Sequence, residues 1–200
     1  MSDDHRTKPA VGPQEGALSI KLVAWTARTF TFDLPLGAFP AVLERLRGTP
    51  PRATELISGA AENLLSMRLN GKWSVKEHLG HLADLGTLEE LRLREFLSGA
   101  AILSAADMAN RVTEAAGHNQ VPMAHLLQRL RSRRFDWVRK LEALTEEEIS
   151  RTALHPRLQQ PMRILDFAYF VAEHDDHHLA QARHTILGLG RPTTTRRTQS

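Results

Sequence analysis

"WSVKEHLGHLADLGTLEELRLREFLSG", residues 73–99, carries helix punctuation at both ends. Ser74 and Glu77 stand in the S-x-x-E spacing of a capping box, and Gly99 sits where a helix of this kind stops. Between them Val75, Leu79, Leu82 and Leu93 recur along one stripe, with Leu85 and Leu88 beside it. The stretch predicts one long amphipathic helix with Gly86 inside it. A helix of that length needs partners to cover its apolar face.

The rest of the chain supplies them. "FPAVLERLRG" (39–48) places Phe39, Val42, Leu43 and Leu46 on one face, with Pro40 early and Gly48 late, and "TPPRATELISG" (49–59) restarts the helix for about two turns. "PMAHLLQRLRSRRFDWVRKLEAL" (122–144) and "MRILDFAYFVAEHDDHHLAQARHTILGLG" (162–190) read as two further long helices, the last stopped by Gly188. Between these lie a long connection at 100–121 with a helical turn near Asp107 to Glu114, a short capped turn "TEEEIS" (145–150) and a loop "HPRLQQP" (155–161). "TFTFDLP" (29–35) alternates like a strand, but no second strand of matching quality follows, so it is expected to lie as an extended arm against helices. Four major helices without an internal repeat predict an all-α four-helix bundle over residues 29–190. Residues 1–28 are expected to be a disordered or extended N-terminal arm, and the polar, basic 191–200 a disordered tail.

Composition narrows the chemistry. The 200 residues, 42% hydrophobic and 24% charged, fit a single globular domain, and a formal charge of +3 gives a weak net field, so an anionic partner would need a local patch. There is no cysteine, which excludes disulfides, thiolate ligands and a cysteine nucleophile and leaves nitrogen and oxygen as the strong metal donors. No run approaches the roughly 18 apolar residues of a membrane span, and the start lacks the apolar stretch of a signal peptide, so a cytoplasmic protein without membrane contact is expected. "RLRSRRFDWVRK" (129–140) has six basic residues, but they spread around the helix and precede acidic "TEEEIS", which argues for a solvated face and against a nucleic-acid site.

Histidine is the unusual residue. "EHDDHHLAQARH" (173–184) holds four of the ten in the chain. On a helical wheel His174 and His178 share a face at the flank of the apolar stripe, while His177 and His184 point outward. Residues four apart are separated by roughly 6 Å along a helix, which lets two imidazole nitrogens converge on one ion at about 2.0–2.1 Å each. A third donor from a facing helix would make this a site, and the helix at 73–99 offers His78 and His81. Periodicity slightly favours His78, which lies nearer the stripe. Asp175 falls on the apolar side, either accepting from an imidazole N–H or pairing with an N–H or arginine elsewhere.

Taken together, "GKWSVKEHLGHLAD", "DMANRVTEAAGHN", "HPRL" and "EHDDHHLAQ" in this order resemble the DinB/YfiT-like superfamily of metal-binding four-helix bundles, over about residues 30–187. The resemblance implies a divalent metal, nickel or zinc, held by one histidine of the second helix and two of the last. Matched motif by motif, these are His81, His174 and His178, in place of His78. It also implies a homodimer, and activities that include thiol S-transfer, thiol-dependent isomerisation and hydrolysis. The expected function is therefore metal-dependent activation of a thiol or water, with a small-molecule thiol or electrophile as partner. The alternative is a metal-binding bundle without turnover, acting as a stress-related interaction or scaffold protein.

Overall fold

The computed structural model describes residues 21–190; the expectations for 1–20 and for the tail at 191–200 lie outside the described residues. The helices are α1 (Phe39–Arg47), α2 (Thr49–Leu56), α3 (Glu62–Leu65), α4 (Val75–Leu97), α5 (Arg111–Ala115), α6 (Met123–Glu142), α7 (Glu146–Ile149) and α8 (Ile164–Leu189). The long ones, with α1 and α2 acting as one broken unit, form the all-α bundle that the apolar periodicity predicts. The capping box is present: the Glu77 N–H donates to Ser74 Oγ at 3.1 Å, and the Ser74 N–H donates to the Glu77 carboxylate at 2.7 Å. Thr145 and Glu148 repeat the device at α7.

The order of packing is not that of a simple up-and-down bundle. Both α1 and α4 pack against α6 and α8, so the first two long units face each other across a diagonal, and α3, in the link between them, rests against α8. Close approaches are made at glycines. A Cβ on Gly80 of α4 would lie 2.5 Å from the His118 ring, which Gly117, in the left-handed region at φ 63°, turns toward the helix.

Three expectations need correction. The loop at 155–161 is the turn of an antiparallel hairpin, β1 (Thr152–His155) with β2 (Gln160–Arg163), paired from Thr152 with Arg163 to His155 with Gln160. Four-residue strands whose inward positions are Ala153, His155 and Met162 are too short and too mixed to show a period of two. Met162 and Arg163 therefore belong to β2, and α8 begins at Ile164, where Asp166 accepts from the Arg163 N–H at 2.9 Å. Gly188 does not stop α8: the helix continues to Leu189, and Gly188 is where Leu69 packs, so closely that an added Cβ would overlap its side chain.

Apolar residues gather in two clusters. One surrounds Leu46, Phe96, Trp137 and Phe167, and the other Leu79, Leu82, Leu126 and Leu130. At a level between them lies a buried polar network with a residue from each helical unit. Arg134 of α6 donates to Glu89 of α4 at 2.7 and 3.2 Å and to Asp175 of α8 at 2.8 Å, while Thr49 of α2 donates to the other Asp175 oxygen at 2.7 Å. Burial pushes both carboxyls up and the guanidinium opposes it. The basic stretch read as solvated thus hides one arginine in the core.

Arg134→Met leaves two carboxylates facing each other without a cation, and a loss of about 3–5 kcal/mol of unfolding free energy is expected in urea titration. Replacing Glu89 and Asp175 with Leu as well should recover much of it, since the uncompensated charges are then gone. Gly80→Ala should lower Tm by several degrees, because the clash with a buried ring outweighs the roughly 1 kcal/mol gain in helix propensity. An unchanged or raised Tm would contradict the close packing at His118.

Candidate metal centre

The capped start of α4 and the middle of α8 bring three imidazoles together. His81, His174 and His178 each offer a nitrogen, and these atoms lie within 4.8 Å of one another. His174 Nε2 and His178 Nε2 are 3.1 Å apart, as the i, i+4 spacing allows on a regular helix. His81 reaches the pair because its ring centroid stands 4.8 Å from that of His178 and 5.4 Å from that of His174. Two nitrogens each about 2.1 Å from a common ion can be up to about 4 Å apart, so the group needs only a small ring rotation to converge.

The second ring nitrogens of His81 and His178 are held from behind. His81 Nδ1 lies 2.8 Å from Thr113 Oγ1, and His178 Nδ1 lies 2.9 Å from His78 Nδ1. With the Nδ1 proton donated in each case, Nε2 carries its lone pair toward the other imidazoles. His78, favoured by periodicity, is therefore in the site but behind His178, outside the group of three. Among the described residues Asp175 hydrogen-bonds to Thr49 and Arg134 and to no imidazole, the arginine alternative of the sequence reading. His184 is exposed, whereas His177 is half-buried against Trp25 and His178.

Burial keeps these imidazoles neutral. It lowers His78 to about 3 and His81 to about 4, and it drives His174 and His178 well below the usual histidine range, with the neighbouring imidazoles adding to the effect. Neutral nitrogen donors without a carboxylate or thiolate among them suit a borderline divalent ion such as zinc or nickel.

The three histidines form one wall of a cavity of about 460 Å³. Leu85 and Leu88 of α4 and Phe170 and Val171 of α8 supply apolar surface. Trp25, from a short 3-10 turn at Trp25–Ala27, stands with its ring 4.8 Å from His174 and 5.0 Å from Phe170. Trp73 stands 5.0 Å from His81 and donates its indole N–H to Glu114 at 2.6 Å. The hairpin contributes His155 and Arg157. Trp25, Thr113 and the hairpin have no counterpart in the sequence reading. Only the His-Pro-Arg run beside a histidine-rich helix could have drawn notice, and nothing local said that it faces inward.

No helix of the described residues is long and apolar enough to cross a membrane. Among curated proteins, none is similar enough in sequence to count as a match. Among solved structures, YfiT from Bacillus subtilis, described as "a probable metal-dependent hydrolase with an unusual four-helix bundle topology", superposes with a TM-score of 0.70 at 17% identity, covering 79% of this chain and 91% of YfiT. At that identity the likeness speaks for the fold alone. The model of the DinB superfamily matches residues 27–182, which takes in the capped α4, the hairpin and the histidines of α8. Fold, motif order and match agree, and the chain belongs to the DinB superfamily.

Proposed function

We propose that this protein is a metal-dependent enzyme in which His81, His174 and His178 hold a divalent ion, nickel or zinc, and in which a thiol or water is activated against an electrophile bound in the cavity. The observation that carries the reading is the position of the three imidazoles: they sit together on a cavity wall, and among the described residues no fourth protein donor closes the group. A structural zinc site is normally closed by four protein ligands, so an open group of three argues for chemistry. The description of YfiT as metal-dependent supports the same reading.

When bound, such an ion supplies Lewis acidity that lowers the pKa of a water or thiol near neutral pH. The chain's own residues do the remaining work. Thr113 and His78 fix the tautomers of His81 and His178 and so aim their lone pairs. Leu85, Leu88 and Phe170 limit water in the cavity, and Trp25 and Trp73 flank the imidazoles. His177 lines the cavity outside the group of three, and burial lowers its pKa, which leaves a neutral ring able to take up a proton.

Protein purified without chelators is expected to carry close to a single nickel or zinc ion per chain by elemental analysis. His81→Ala, His174→Ala and His178→Ala should each abolish this, and His184→Ala should leave it unchanged. His78→Ala should retain the ion with affinity weakened about 10–100-fold. Absence of metal from the wild type and from protein reconstituted with excess zinc or nickel sinks the reading. Turnover of a chloronitrobenzene with a low-molecular-weight thiol, or of p-nitrophenyl acetate with water, tests the enzymatic half. Stoichiometric metal with neither activity returns the protein to the non-catalytic alternative.

The depressed histidines also set a pH dependence for metal-free protein. Unfolded histidines take up protons near 6.5, while His81 and His78 in the folded chain do so near 4 and 3. Their contribution to stability is complete above about pH 6.5 and is lost as the pH falls toward those lower values, by up to about 1.4 kcal/mol per pH unit for each histidine. Urea unfolding of chelator-treated protein between pH 7 and 5 should register the loss, and His81→Asn together with His78→Asn should make it shallower, with His174 and His178 supplying what remains.

A further inference from the structure

The cavity has a second end, which the three histidines do not use. Arg92 of α4 and Arg157, in the turn between β1 and β2, both line it, with His155 between them in the fold. Arg92 is buried and donates from Nε and Nη2 to the Ser104 carbonyl at 2.9 and 2.8 Å; its Nη1 lies 3.5 Å from His155 Nε2. Arg157 lies over the rings of Trp25 and Phe170, its guanidinium carbon 5.9 and 5.8 Å from their centroids, and among the described residues its buried Nη2 has no hydrogen-bond partner. Among the described residues neither arginine is in ion-pair contact with a carboxylate. Glu89, the buried acid of the lining, is held by Arg134. Burial lowers the pKa of both arginines, Arg92 to about 10, where the Arg157 cation adds to the effect.

Two guanidinium groups lining one aromatic cavity, one with a buried nitrogen unsatisfied, are costly unless something anionic completes them. The planar fork of arginine matches a carboxylate with two parallel N–H donations. We propose that Arg92 and Arg157 form a carboxylate-binding end of this cavity, so that its ligand carries a carboxylate at one end while its other end reaches the histidines. Trp25 joins the two ends, since its ring contacts both His174 and Arg157. The proposal rests on the metal reading only for which end of the ligand reacts.

The test uses succinate as the probe and the full-length protein, first metal-free and then zinc-loaded, with binding followed by calorimetry and tryptophan fluorescence. Metal-free wild type is expected to bind succinate saturably and uncharged succinamide not at all. Arg157→Gln should weaken succinate binding about tenfold or more, and Arg157→Lys, which keeps the charge without the fork, should recover only part of it. Arg139→Gln, which removes a charge from the exposed face of α6, should bind as the wild type does. Arg157 is half-buried in a turn and donates no hydrogen bond among the described residues, so its variants should melt like the wild type by circular dichroism. Equal affinity of wild type and Arg157→Gln, or equal binding of succinamide, overturns the proposal. So does succinate binding that requires zinc and ignores Arg157, an outcome that leaves the metal reading standing. Arg157-dependent binding in protein that takes up no metal supports the carboxylate end and fails the metal reading.

Discussion

Arg134 enters the bundle from α6 and meets carboxylates from α4 and α8, with Thr49 of α2 bracing one of them. A guanidinium and two carboxylates cannot be buried apart from one another without a penalty of several kcal/mol for each ion, so the four helical units are held to the single relative placement that satisfies all of them. Apolar surface alone would tolerate sliding; this network does not. It fixes α4 against α8 at a level adjoining the histidines, because Asp175 directly follows His174 and Glu89 is on the same helix as His81. The cluster of histidines thus inherits its geometry from an ionic contact that takes no part in it.

Around that fixed point the cavity is built in two materials. The imidazoles come from long helices whose backbone is regular and capped, the setting in which side-chain positions are most reproducible. The arginine end is assembled from one helical residue and one turn residue, with a tryptophan from the N-terminal segment bridging the two. Rigid elements carry the groups that must converge to within tenths of an ångström, and the looser ones carry groups whose reach can vary.

How much of this was legible in the sequence depended on whether the signal was local. Ser74, Glu77 and the stripe through Leu79 and Leu82 wrote α4 into the chain, and His174 with His178 announced a shared face, since both facts are fixed by helical geometry. The choice between His78 and His81 was not local. The two histidines lie three residues apart on α4, and only the rotation of α4 against α8, set by packing, decides which faces the pair and which stands behind it. The family motif pointed to His81 where periodicity leaned the other way, and both residues turn out to be in contact with His178. Asp175 and Arg134 were legible only as a buried acid and one of six basic residues, because their partnership spans forty-one positions. The hairpin stayed hidden for a different reason: its strands are too brief to display a period, and they are held by pairing to each other and to Ile102.

The diagonal placement of α1 bears on how the chain reaches this state. Its neighbours are α6 and α8, and contacts such as Thr49 with Asp175 join residues 126 positions apart. As the polypeptide leaves the ribosome, the first helical unit has no sequence neighbour to cover Val42, Leu43 and Leu46, and its docking site is completed only when α8 has been synthesised. Closure of the bundle therefore depends on long-range contacts that form only once the histidine-bearing helix is present, the kind of contact whose loop-closure cost slows folding.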